Sequence, residues 1–103
     1  MIARNVTIRL KANSVAEFNR TLEKEIIPLL QKQKGFQDEI TFTVPGGREA
    51  LAISFWDKRE NAEAYSRTMY SDVLKALANV LDGTPQVQYW EVSNSTFAAV
   101  VAV

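Results

Sequence analysis

The chain has 103 residues, 12 basic against 12 acidic side chains, and 47% hydrophobic residues. That is one domain with enough apolar material for a core, and its balanced charge supplies no basic field for nucleic acid. It contains neither Cys nor His, which removes disulfides, thiolate nucleophiles, zinc and iron–sulfur ligation, proximal-histidine haem binding and histidine acid–base chemistry.

Residues 2–11 alternate. Val6, Ile8 and Leu10 share one parity, and Asn5, Thr7 and Arg9 the other, which predicts a first strand. This opening has no apolar h-region of the kind a signal peptide carries. Ser14 followed by Glu17 forms the pattern of a capping box. The stripe Val15, Phe18, Leu22, Ile26, Leu29 and Leu30 then predicts an amphipathic helix. Pro28 inside that stripe predicts a kink, and Gly35 a C′ residue.

A second strand is expected over 36–44, with Phe36, Ile40, Phe42 and Val44 alternating against Gln37, Glu39, Thr41 and Thr43. Asp38 and Glu39 are neighbours on it, so they face opposite ways and form no acid/base pair. Pro45-Gly46-Gly47 is a hairpin turn, not a phosphate loop. The third strand, Ala50 to Trp56, is apolar on both faces. Asp57 is the expected cap of the next helix, with Glu60 at N3. Ala62, Tyr65, Met69, Val73, Leu77 and Val80 form its stripe, with a break expected near Tyr70-Ser71-Asp72. Gly83 and Pro85 end it, and a fourth strand is expected over Gln86 to Ser93. Phe97 to Val103 reads as an extra strand; it is seven residues long, against the ~20 of a membrane span. The expectation is a cytoplasmic protein with no membrane and no nucleic-acid partner.

The order β-α-β-β-α-β predicts an α+β, ferredoxin-like fold with helices on one face of an antiparallel sheet. Residues 1–103 form a single domain, with 94–103 as a C-terminal strand or a tail exchanged between subunits. By parity, Leu51, Ile53 and Phe55 point to one face of the third strand, and Ala52, Ser54 and Trp56 to the other. If the Leu51 set faces away from the helices, it joins an apolar patch too large to leave wet, and a homodimer packed sheet to sheet is expected.

Six residues stand out as candidates. Trp56 reads either as a wall for a planar ligand or as a core aromatic. The small Ala52 and Ser54 beside it leave room for a cavity. Tyr65 can hydrogen-bond a phenol or its oxyanion, or simply pack on its stripe. Arg67 and Tyr70 flank the expected helix break; Arg67 either meets an anionic ligand or lies on a solvated face.

Several motifs together resemble one known family: Phe55-Trp56-Asp57-Lys58, Ala62-Glu63-Ala64-Tyr65, Tyr70-Ser71-Asp72-Val73-Leu74, Gly83…Pro85-x-Val87 and Tyr89-x-Glu91-Val92. With Ile27-Pro28-Leu29-Leu30…Gly35-Phe36 they look like the antibiotic biosynthesis monooxygenase domain, over nearly the whole chain. The resemblance implies a dimeric α/β barrel with a ligand cavity in each subunit. Trp56 matches the strand Trp of that family's cofactor-independent oxygenases, but Ala52 stands where those enzymes carry Asn. The haem-degrading branch has a Trp where Tyr65 stands and a His where Ala78 stands. Its strand-1 Asn has only Asn5 nearby, and Asn5 has the wrong parity.

Trp56 and Tyr65 are therefore the candidate catalytic residues, and Ala52, Ser54, Arg67 and Tyr70 the candidate substrate contacts, with no cofactor and no metal. The resemblance implies a cofactor-independent monooxygenase that oxidises a small phenolic or polycyclic aromatic compound with O2. The alternative is a non-catalytic small-molecule-binding, or purely structural, dimeric barrel.

Overall fold

The computed structural model describes residues 1–97. Strands β1 (Ile2–Arg9), β2 (Phe36–Thr43), β3 (Glu49–Trp56) and β4 (Gln86–Glu91) form one antiparallel sheet in the order β2-β3-β1-β4. Helical segments join β1 to β2 and β3 to β4, which is the ferredoxin-like arrangement. The helices cover one face. Val6, Ile8, Ala50 and Trp56 of the sheet are buried there against Phe18, Leu22, Ile26, Leu30, Tyr65, Val73 and Leu77.

The first helical region is three segments: α1 (Val15–Thr21), a π-helical turn (Leu22–Ile26) and α2 (Ile27–Gln31). The expected kink is thus a widened turn just before Pro28. The Ile27 N–H reaches back to the Leu22 carbonyl, and Pro28 falls in the first turn of α2, where a missing N–H costs little. The capping box does not form. The Ser14 hydroxyl donates to the Ala12 carbonyl instead, at 3.4 Å, and makes no cap bond.

Gly35 is not a C′ residue either, because α2 ends at its cap Lys32. It serves the sheet end. Its φ is +82°, its carbonyl accepts the Asp57 N–H at 2.9 Å, and a Cβ there would lie 2.2 Å from Asp57 Oδ1. Asp57 is correspondingly not the cap of α3 (Arg59–Thr68). Lys58 holds that position, while Asp57 Oδ1 accepts a hydrogen bond from Asn61 Nδ2 at 2.8 Å. The break before α4 (Tyr70–Ala76) falls at Met69, just ahead of the expected place. β4 ends at Glu91 rather than Ser93. Asn94 to Phe97 carry no strand, and the rest of the expected tail strand lies outside the described residues.

One departure matters for the site. The β2–β3 register shifts between Phe36 and Asp38, so that Phe36 pairs with Trp56 but Asp38 with Phe55. This bulge at Gln37 reverses the parity of the strand. Phe36 packs against the core, whereas Ile40 and Phe42 share the outer face with Ile53 and Leu51. Glu39 and Thr41 turn under the helices instead. On the outer face, Phe42, Ile40, Leu51, Ile53 and Phe55 continue through Ala3 to Trp90. Phe42 is 52% and Trp90 54% exposed. Asn5 pairs with Ile53 and faces outward.

A side chain at φ +82° costs about 1–2 kcal/mol, and at Gly35 it also meets Asp57 and Asn61. Gly83, at φ +85°, has open space around it. Denaturant titration should show Gly35→Ala losing clearly more stability than Gly83→Ala; equal losses would remove the role given to Gly35.

Candidate functional site

On the helix-facing side, the sheet pairings set four polar residues in one cross-strand row: Glu39 on β2, Ser54 on β3, Arg4 on β1 and Tyr89 on β4. The row above it is Phe36, Trp56, Ile2 and Glu91, and the row below is Thr41, Ala52, Val6 and Val87. Strand alternation puts all three rows under the helical layer. The middle row, through Arg4, Glu39 and Ser54, and the lower row, through Val6 and Ala52, meet a cavity of about 40 Å³ there. Its walls are mainly aliphatic, from Val6, Leu22, Ile26, Leu30 and Leu77, and its polar positions are Arg4, Glu39, Ser54, Tyr65 and Tyr70.

Arg4 is 2% exposed. Its Nε donates to Ser66 Oγ at 2.9 Å, and Ser66 Oγ is hydrogen-bonded to Tyr89 Oη at 2.6 Å. The guanidinium lies over the rings of Tyr70 and Tyr65, 4.2 and 5.1 Å from their centroids. Among the described residues the ion pairs are Arg9–Asp82, Arg48–Asp82 and Arg59–Glu63, all at the surface. Arg4 thus has no carboxylate partner there, and no hydrogen bond from its Nη atoms to those residues. A buried cation without a carboxylate is costly. The tyrosine π-faces offset part of that cost, and the guanidinium lies close enough to the Tyr70 hydroxyl to hold its pKa down.

The sequence-derived candidates divide. Ala52, Ser54, Tyr65 and Tyr70 all line the cavity. Trp56 does not reach it. It is fully buried, its Nε1 donates to Ser54 Oγ at 2.9 Å, and its ring stacks on Tyr65 with centroids 5.2 Å apart. It backs the tyrosine that forms the wall. Arg67 is exposed on α3 and away from the cavity. Sequence reasoning missed Arg4 and Glu39. The parity of Val6 and Ile8 was a signal for Arg4, but a strand-start arginine ordinarily reads as solvated. For Glu39 the parity pointed the wrong way, because the bulge at Gln37 leaves no mark in the alternation.

Burial raises the Tyr65 phenol to about 12, against the opposing charge of Arg4. It raises Tyr70 as well, again opposed by Arg4. The Tyr70 hydroxyl is buried with no hydrogen-bond partner among the described residues. Burial also raises Glu39; a hydrogen bond from the Thr41 hydroxyl works against this, and the neighbouring charge of Asp38 adds to it. Two neutral phenols, one cation and one carboxyl of raised pKa can bind and stabilise an organic anion and exchange a proton with it. Among the described residues no cluster of acidic side chains could hold a metal ion.

No protein-family model and no curated protein matches the sequence. Solved structures do match in fold. A protein of unknown function from Nitrosomonas europaea superposes with a TM-score of 0.76 at 16% identity, over 96% of this chain and 95% of that one. A Bordetella bronchiseptica protein, named provisionally as an antibiotic biosynthesis monooxygenase, gives 0.75 at 14% identity, over 88% and 95%. SnoaB, a cofactor-independent oxygenase from Streptomyces nogalater, gives 0.73 at 13% identity, over 92% and 95%. The chain therefore has a fold like that of the antibiotic biosynthesis monooxygenases. At these identities the likeness extends to the fold alone.

The folded state favours neutral Tyr65, so it keeps that proton above pH 10, where the unfolded chain releases it. The resulting stability is complete below pH 10 and falls as pH rises toward 12. Urea midpoints measured across that range should decline steeply for the wild type. The decline should be shallower for Tyr65→Phe, with Tyr70 supplying the remainder. Identical slopes would show that the phenol is not held neutral by the fold.

Proposed function

We propose that the protein is a cofactor-independent monooxygenase that oxidises a small phenolic or polycyclic aromatic compound with O2, working as a homodimer in the cytoplasm. The observation that carries this reading is the buried Arg4 guanidinium, without a carboxylate partner among the described residues, on the wall of a mainly aliphatic and aromatic cavity. Such a site favours the deprotonated form of an aromatic substrate by fixing its oxyanion in a dry, preorganised environment. Tyr65, whose pKa of about 12 keeps it protonated, donates a hydrogen bond to the same oxygen. Trp56 holds the Tyr65 ring from behind. Ala52, Ser54 and Tyr70 complete the substrate contacts.

The electron-rich anion itself reduces O2. One electron passes to oxygen, the radical pair joins at the activated carbon, and the peroxide loses water. A CH2 group plus O2 thereby becomes C=O plus H2O, with no further reductant. The fold likeness to a protein named as a cofactor-independent oxygenase supports this class.

A cavity of about 40 Å³ holds a few water molecules, so a ring enters only if the helical layer moves. Both walls contain a place where it can. The π-helical turn Leu22–Ile26 interrupts one and Met69 the other, and such interruptions recur at functional sites and hinges. The small volume also favours the second reading, a dimeric barrel that binds a small molecule without turning it over, or that is purely structural.

The homodimer reading is supported by the outer face of the sheet, where Ile40, Phe42, Leu51, Ile53, Phe55 and Trp90 form one apolar surface. Each such side chain gains about 1.5–3 kcal/mol when fully buried. Light scattering at micromolar concentration should give a mass near twice 11.6 kDa. Phe42→Asp should shift it toward 11.6 kDa, and a wild-type monomer would remove the dimer. Oxygen-electrode assays with anthrone- and hydroquinone-type compounds should show uptake above buffer. Arg4→Met should lower kcat/KM by about 10²-fold or more. Thermal stabilisation by these compounds without uptake would give the second reading instead.

A further inference from the structure

We propose that the cavity is also a proton-abstraction site, in which Glu39 takes a proton from the carbon beside the carbonyl of a small cyclic aromatic ketone while Arg4 holds the oxygen that becomes an enolate. This rests on the role given to Arg4 in the oxygenase reading, but it requires no O2. It assigns an enolisation activity, and a substrate class with an acidic C–H next to a carbonyl.

The geometry comes from the bulge at Gln37, which turns Glu39 under the helices and opposite Ser54, while Ser54 is opposite Arg4 on its other side. Glu39 and Arg4 thus flank one central residue, with Cα atoms two strand spacings, about 10 Å, apart. Ser54 projects only a hydroxyl between them, and that hydroxyl accepts from Trp56. A base and a cation held on opposite sides of a small residue leave space for a C–H on one side and a carbonyl oxygen on the other. No ion pair joins Glu39 to Arg4 among the described residues, so neither group neutralises the other. The Thr41 hydroxyl donates to Glu39 Oε2, which orients the carboxylate and leaves Oε1 to act. Among the described residues Glu39 is the only carboxyl on the cavity wall.

The step balances without an oxidant. The C–H proton moves to the Glu39 carboxylate, its electron pair forms the C=C bond, and the carbonyl pair becomes the enolate oxygen on Arg4. Return of a solvent-derived proton from Glu39 to carbon restores the ketone with its hydrogen exchanged. The charged and titratable groups around Glu39 are Arg4 on β1 and Tyr89 on β4 along its cross-strand row, Tyr65 on α3 and Tyr70 on α4 on the cavity wall, and Asp38, its neighbour on β2, whose side chain lies on the outer face. The wall from Leu22 to Leu30 is apolar at the cavity. Burial raises the Glu39 carboxyl, which brings a carboxylate base toward the neutral range in which such a base works best.

The test is deuterium incorporation at the α-methylenes of 2-indanone in anaerobic D2O buffer, followed by proton NMR across the acidic-to-neutral range. Wild type should exchange about 10²-fold faster than buffer alone, and Glu39→Gln should fall back to the buffer rate with an unchanged circular dichroism spectrum. Thr41→Val removes the hydrogen bond that lowers the Glu39 pKa, so the rising limb of its pH profile should move to higher pH. Exchange at the buffer rate in wild type, or undiminished exchange in folded Glu39→Gln, overturns the proposal. Should Glu39→Gln not fold, a Thr41→Val limb at the wild-type position overturns it equally. Exchange without oxygen uptake would leave this proposal standing and remove the oxygenase; uptake unaffected by Glu39→Gln, without exchange, would do the reverse.

Discussion

The structure depends on one constraint: a four-stranded sheet has two faces, and the helices of this chain cover only one. Alternation along the strands sorts every residue to one side or the other. The covered side takes Trp56, Val6, Ile8 and Ala50 into the core. It also takes Arg4, Ser54 and Glu39, which an apolar core has no use for. The uncovered side receives Leu51, Ile53, Phe55, Ile40 and Phe42. Both the cavity and the apolar outer surface follow from this sorting. A single bulge at Gln37 decides which side each β2 residue joins.

The polar row is energetically expensive. A guanidinium buried to 2% exposure, without a carboxylate partner among the described residues, loses its hydration and recovers only part of it from Ser66 and two tyrosine rings. A fold selected for stability alone would do as well with an aliphatic residue there. Trp56 and Ser54 show the contrasting solution, an indole N–H and a hydroxyl satisfied by each other. The unpaired charge of Arg4 and the Tyr70 hydroxyl, which makes no hydrogen bond by geometry among the described residues, therefore concentrate incompletely satisfied polar groups around one small space. Unspent capacity of that kind is a usual mark of a ligand site.

The helical walls are interrupted at two points. The π-helical turn contributes Leu22 and Ile26 to the cavity, and the Met69 break lies just ahead of Tyr70. The first interruption has an identifiable cause. The ring of Pro28 supplies no N–H to the preceding turn, and the turn before it widens. Met69 adopts φ −122°, outside the helical range, between two helices of 10 and 7 residues. The sheet beneath has neither interruption, so on the proposed function the movement that admits a ligand belongs to the helical layer.

Much of the fold was legible from local pattern. The alternation of β1 and β3, the stripe from Val15 to Leu30, the Pro45-Gly46-Gly47 turn and the helix break all follow from periodicity and turn chemistry, which act over a few residues. Ser14 does occupy the N-cap position of α1, but its hydroxyl turns to the Ala12 carbonyl; the cap expected at Asp57 falls at Lys58, and Asp57 accepts from Asn61. Ala52, Ser54 and Tyr65 were placed by the same parity and stripe arguments that placed the core, and Tyr70 by the expected helix break beside it. The sequence by itself determined the order of elements and the two faces of β3. Only the tertiary structure decided that Glu39 turns inward and that Arg4 meets Ser66, 62 positions away, because register and long-range burial depend on which strands and helices come together, and no local spacing records that.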